Sequence, residues 1–324
     1  MKTKELIDEI EKLFSQPIGM QMYAVIKTDN TNEIKLVNIR DDNGEQTDQT
    51  EDELMNGFIN IMCNKFEKYR EDEPILPLSS ADERTNGLFI YDLEELPLEM
   101  DYLKKLDSIS VNTPIFSIKD DGLDKIGAFI VVIGNAERRL ILYKQQYPIS
   151  LLKRDRCMLT PVPHKNRLRK YDADILRIDF NYQFFLWNGE IYISDIEKME
   201  KICSFYKIIV NEAKKSIAAI QDMDILDNIE SLNDELENIS FARKLTRIQK
   251  DSKVLGKVTN ETIIAFTREH SYFKTNPIKL NAEGNKFVLD TKKSKNAFVK
   301  LLNDDLLTSN LTRSEYEVLA KNMA

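Results

Sequence analysis

The chain has 324 residues, a hydrophobic fraction of 42%, a charged fraction of 31% and a formal net charge of −8. Its length allows one large domain or two ordinary ones, and its scarce glycine and proline argue against long disordered linkers. The longest uncharged apolar run, GAFIVVIG at 127–134, falls far short of the ~20 residues that span a bilayer.

The charge is unevenly placed. From Arg138 to Lys170 there are ten Lys/Arg and one acid, a local net of +9, so the remaining 291 residues carry −17. Such asymmetry speaks to partners rather than to fold: an acidic surface discourages indiscriminate polyanion binding and confines it to one zone.

In chain order, Leu6, Ile10 and Phe14, spaced by four, predict a helix over 3–15. The charged segment MKTKELIDEIEKLF lacks a signal-peptide core, so a cytoplasmic protein is expected. Residues 22–39 alternate around TDNTN and predict a hairpin. The acidic stretch 41–56 opens as a loop, and its end starts a helix reaching about Tyr69. A short strand at Leu88–Tyr91 and a short helix at Pro97–Leu106 follow.

From Pro114 the reading turns β-rich. Strands are predicted at 128–134 and 140–145, then at 175–180, 182–187 and 190–193, with Asn188-Gly189 a strong hairpin signal. After Ser194 the pattern is helical. Ile196, Met199, Cys203, Tyr206, Val210, Ala213, Ile217 and Ile220 keep a three/four spacing that suits either a coiled-coil seam or, with the wider stripe of Ile202, Phe205, Ile208 and Ile209, a core helix on the sheet. An acidic helix placing Ile229, Leu232, Leu236 and Ile239 on one face comes next, and these helices are also candidates for a homodimer interface. Phe241, Leu245 and Ile248 predict a helix whose outer side carries Arg243, Arg247 and Lys250, with Lys244 beside them. A helix over 262–270, a small hairpin in IKLNAEGNKFVL and two closing helices complete the chain, the last opening on the capping-box pattern TRSE. The expected fold class is α+β: mixed or antiparallel sheets with packed helices and a helical C-terminal half. The expected boundary divides an acidic α/β part, 1–120, from an α+β part, 121–324.

Catalytic signatures are sparse. VLGKVT fails as a phosphate loop, because Val258 stands where Ser or Thr must bind magnesium. His164 and His270 are isolated, and Cys63, Cys157 and Cys203 form neither a CxxC nor a disulfide framework. Asp29, Glu33 and Lys35 match a loose nuclease-like D…ExK spacing, but an edge-strand ion pair explains them as well. No catalytic residue, metal or cofactor is expected.

The anion-binding candidates are clearer. LLKRDRCMLTPVPHKNRLRKY holds Lys153, Arg154, Arg156, Lys165, Arg167, Arg169 and Lys170 against a single acid, Asp155. In an extended chain Lys165, Arg167 and Arg169 point to one side and can track a phosphate backbone, while two prolines reduce the conformations lost on binding. Arg243, Lys244, Arg247 and Lys250 offer a second, helical stripe, and TREHSYFK nearby mixes bases with aromatics. No helix-turn-helix, zinc-finger or RNA-recognition signature supports sequence-specific readout.

LYKQQYPISLLKRDRCMLTPVPHKNRLRKYD followed by ILRIDFNYQFFLWNGEIYISDI resembles the core of the Kiwa protein B (KwaB-like) anti-phage defence family, and KNAFVKLLNDDLLTSNLTRSEYEVLAK is similar to that family's ending. The resemblance covers roughly 120–320. It implies a cytosolic DNA-binding effector that blocks phage replication and transcription and acts with a membrane-embedded Kiwa protein A-like partner at the inner membrane. It also implies a homodimer and no established reaction. A defence nuclease and a non-enzymatic adaptor that docks a partner protein or anionic lipid headgroups are the alternatives.

Overall fold

The structure, a computed structural model, describes residues 2–28, 32–39, 48–69, 72–78, 87–108, 113–152, 159–161, 167–170, 174–203, 205–309, 311–312 and 314–317. The chain forms two compact units, the first of Met1–Ile75, Asn86–Ile90 and Leu96–Cys203, the second of Leu76–Thr85, Tyr91–Glu95 and Ser204–Ala324.

The first unit begins with α1 (Thr3–Phe14), β1 (Gly19–Lys27), β2 (Asn32–Val37) and α2 (Asp48–Phe66). β3 (Leu76–Pro77) belongs to the second unit, and the first continues with β4 (Phe89–Ile90), α3 (Leu98–Ser108) and α4 (Ile118–Asp121). Then follow β5 (Ile126–Gly134), β6 (Arg139–Gln145), β7 (Leu151–Leu152), β8 (Leu159–Pro161), β9 (Leu168–Lys170) and β10 (Ile175–Leu176). β11 (Phe184–Trp187), β12 (Glu190–Ile193) and α5 (Ile196–Ile202) close the unit. Its main sheet has the order β2-β1-β5-β6-β11-β12-β4 with antiparallel pairings throughout. A single parallel bridge, Leu36 to Ile115, flanks β2.

Local chemistry explains these elements. Leu6, Ile10 and Leu13 are buried on one stripe of α1, and the Lys2 backbone N–H donates to Glu5 Oε2 at 2.9 Å to close its first turn. Asn188 and Gly189 both have positive φ (49° and 78°), which matches the twist of the β11–β12 hairpin they join. β5 is buried on both faces along nearly its whole length, as its unbroken apolar run requires. One face meets α1 and α2 in a cluster of Leu6, Ile10, Phe58, Met62, Met22, Phe129, Val131, Leu142 and Phe185. The alternate residues Tyr143 and Phe184 lie outside that cluster and stack at 4.7 Å, and α3 packs against their strands.

The second unit holds α6 (Phe205–Asp222), α7 (Glu230–Asn233), α8 (Ile239–Asp251), α9 (Asn260–Glu269) and α10 (Ser271–Thr275). It ends with β13 (Lys279–Leu280), β14 (Phe287–Val288), α11 (Lys292–Leu302), β15 (Leu306–Thr308) and β16 (Glu315–Glu317). α6 and α11 pack against α8.

The α+β class is what the structure shows. The main sheet includes strands on both sides of residue 120, since β1 pairs with β5. Two details differ from the sequence reading. The acidic helix through Leu232 and Leu236 is only the one-turn α7, because Asn228, Ser231 and Asn233 engage nearby backbone or side chains in turns. The TRSE segment starts no helix among the described residues: Glu315–Glu317 pairs with β15 instead.

Candidate nucleic-acid interface

The basic zone splits once it is placed on the fold. Arg138 and Arg139 sit at the β5–β6 turn, where Gly134 faces Arg139, about 20 Å from the other end of β6. Lys144, near that other end, is 1% exposed. The remaining seven bases belong to a separate excursion. β6 leaves the sheet at Gln145, passes a turn at Pro148–Ser150 and enters β7, which pairs antiparallel with β10 as Leu151↔Leu176 and Leu152↔Ile175. The chain therefore leaves at β7 and returns at β10 side by side, the two ends of an excursion from the main sheet.

Within it, β8 and β9 make a two-stranded sheet of their own, with Leu159 opposite Lys170, Thr160 opposite Arg169 and Pro161 opposite Leu168. Arg167, Leu168, Arg169 and Lys170 are all exposed. Strand alternation sets Arg169 on the face opposite Leu168 and Lys170, and Arg167, two residues ahead of Arg169, leads into the same side. Lys153, Arg154, Arg156 and Lys165 lie outside the described residues, as do Cys157 and His164.

A polar foot holds the ends of this excursion. The Lys144 ammonium lies 3.4 Å from Asp179 Oδ2, 3.3 Å from Gln146 Oε1 and 3.4 Å from the Gln145 carbonyl. Burial pushes this ammonium below the usual lysine range, and Asp179 opposes the shift. Gln183 Oε1 accepts from the Gln145 N–H at 2.7 Å, Gln146 Nε2 donates to the Arg177 carbonyl at 3.3 Å, and the Arg177 N–H donates to the Ser150 carbonyl at 2.9 Å. Leu176, Ile178 and Phe180 pack against the apolar cluster, with Phe180 edge-on to Phe58 at 5.3 Å. The sequence reading missed this foot. Its one legible signal was the lone lysine in LILYKQQ, a charge inside a buried strand.

The helical stripe of α8 has a different fate. Arg247 is 12% exposed at its side chain and lies 3.4 Å from the 5%-exposed Asp305 carboxylate. Arg243 and Lys244 are half-buried, and the side chain of Lys250 lies outside the described residues. Of the stripe expected from spacing, Arg243, Lys244 and Arg247 are thus partly covered, on a helix that packs against α6 and α11.

The catalytic candidates gain little. Lys35 pairs with Asp121 at 2.5 Å and with Glu33 at 3.3 Å, so it closes the edge of the sheet; Asp29 lies outside the described residues. His270 is buried beside Phe266 and Phe273 and caps α10, its Nδ1 accepting from the Tyr272 N–H at 3.2 Å. Val254 and Val258 of the rejected phosphate loop line an apolar cavity of about 170 Å³ with Ile263, Phe266, Leu301 and Leu306. Among the described residues no cluster of three or more His, Cys, Asp or Glu can hold a metal, and no helix is long and apolar enough to cross a membrane.

Against known proteins, the family model described as Kiwa protein KwaB-like matches residues 123–312, the stretch that carries β6, the excursion and its foot, and the chain belongs to that family. One relative is Kiwa protein KwaB of Escherichia coli O55:H7 (strain RM12579 / EPEC), 30% identical over 323 residues and covering 99% of both chains. That likeness takes in the N-terminal part, where the sequence alone showed less. No solved structure matches significantly.

Proposed function

We propose that this chain is the DNA-binding effector of a Kiwa-type anti-phage defence system. It grips phage DNA largely without reading its sequence and blocks replication and transcription, with no bond made or broken. It does so as a homodimer beside a membrane-embedded Kiwa protein A-like partner, which recruits it from the cytoplasm to the inner membrane. Family membership supports the defence role. The observation that carries the DNA reading is the exposed run Arg167–Lys170 on an excursion pinned at both ends, in a chain of net charge −8.

The driving force is counterion release, about 0.9 of a salt-slope unit for each phosphate neutralised, so seven bases allow a slope near −6. Arginine adds bidentate geometry toward phosphate oxygens. Nothing in this arrangement needs a particular base edge, so duplexes of different sequence are expected to bind alike.

The test is binding of short duplexes in a salt series with magnesium present. Affinity falling steeply between about 50 and 200 mM salt, with the DNA intact and sequence of little consequence, supports the reading. Cleavage lost in Glu33→Ala favours the nuclease alternative. No binding at low salt overturns both.

A further inference from the structure

We propose that Arg177, which the sequence reading passed over, is a fixed phosphate contact at the foot of the excursion, held by Gln146 and kept available by Lys144. The inference rests on the DNA reading above and adds a residue to it.

Three observations carry it. First, the backbone of Arg177 is gripped on both sides, its N–H by the Ser150 carbonyl at 2.9 Å and its carbonyl by Gln146 Nε2 at 3.3 Å. Its neighbours Leu176 and Ile178 are packed on the apolar cluster, while Arg177 itself is exposed. A guanidinium on so constrained a stem gives up less freedom on binding than one on an open loop.

Second, the charge arithmetic of the foot favours an anion. Asp179 lies two residues on from Arg177 in the chain. Its carboxylate is already engaged, by Lys144 Nζ at 3.4 Å and by the Asn181 N–H at 3.0 Å. The buried ammonium therefore offsets the acid that would otherwise neutralise Arg177. This gives a structural reason for burying a lysine here, where an apolar residue would avoid the desolvation cost.

Third, Tyr147 is 49% exposed, and its carbonyl accepts from the Ser150 N–H at 2.9 Å. Backbone hydrogen bonds thus run from Tyr147 through Ser150 to Arg177. The exposed phenol supplies a hydroxyl donor for a further phosphate or a sugar.

The experiment measures duplex binding across a salt series for the full chain, Arg177→Gln, Gln146→Leu and the double variant, with melting temperatures alongside. Arg177→Gln is expected to weaken binding about threefold to tenfold and to shrink the salt slope by about one, with no change in melting temperature. In the Gln146→Leu background the same substitution is expected to cost less than half as much, a coupling that a merely structural glutamine would not produce. Lys144→Met, where it folds, should weaken binding as Arg177→Gln does. Steep binding by the unaltered chain with an unchanged slope in Arg177→Gln overturns this inference and leaves the DNA reading standing. An Arg177→Gln effect that persists in full without Gln146 overturns the positioning role. An unaltered chain that does not bind DNA overturns both.

Discussion

The excursion and α8 were both basic on paper, yet the structure treats their arginines in opposite ways. Arg167 and Arg169 lie exposed on and beside a two-stranded hairpin, while Arg247 is 12% exposed against Asp305. The difference comes from what surrounds each element. A two-stranded hairpin outside the main sheet has little apolar surface to bury, so its side chains face water. A base half-buried on a packed helix is instead held by a carboxylate beside it. Spacing in a sequence identifies which residues share a side, but whether that side is open depends on the partners of the element.

Four variants break or sharpen this contrast. Arg247→Ala should have the largest effect, about 3 kcal/mol of lost stability, because it leaves the buried Asp305 carboxylate without its guanidinium; denaturant melts measure it, and the salt slope of DNA binding should not change. Reversing Arg167 and Arg169 to Glu should do the opposite. Affinity should fall about 100-fold, equivalent to ~2.7 kcal/mol, while the melt stays in place, since both side chains are exposed.

Lys65 shows a third fate for a base. Its ammonium donates to the Tyr182 carbonyl at 2.8 Å and sits 3.7 Å over the Tyr182 ring, and burial lowers its pKa to about 8, with Lys198 adding repulsion. Below pH 8 the folded chain carries a disfavoured charge. As pH rises from 8 toward the unfolded value of 10.5, the unfolded state holds more protons, so this group makes the fold more stable. Lys65→Met should remove that rise, a difference of about 2 kcal/mol between pH 8 and 10 when melts of the two proteins are compared. The smallest effect is expected at Gly57 in α2. A Cβ there would meet the Phe180 ring at 2.5 Å, so Gly57→Ala should destabilise by about 1 kcal/mol despite its better helix propensity, and amide exchange should quicken at residues 175–180.

Much of the fold was legible because period and turn chemistry are local. The α1 stripe, the β5–β6 pair and the Asn188-Gly189 hairpin follow from short-range pattern, and the structure shows each of them. The heptad-like run after Ser194 is two helices, α5 ending at Ile202 and α6 starting at Phe205, and the buried stripe of α6 is the wide one containing Phe205, Ile208 and Ile209. Long-range facts were not legible. Nothing near Lys35 announces Asp121, nothing near Lys144 announces Asp179, and the antiparallel closure of β7 on β10 rests on two residues at each side. Charge counting located the excursion, but the net of +9 over Arg138–Lys170 included Lys144, which the chain commits to the interior.

The most direct test of this account is amide hydrogen exchange of the full chain with and without a short duplex. The account predicts slower exchange confined to the excursion and its foot, residues 147–178, with α8 unchanged. Protection centred on α8, or spread evenly over the chain, would contradict it.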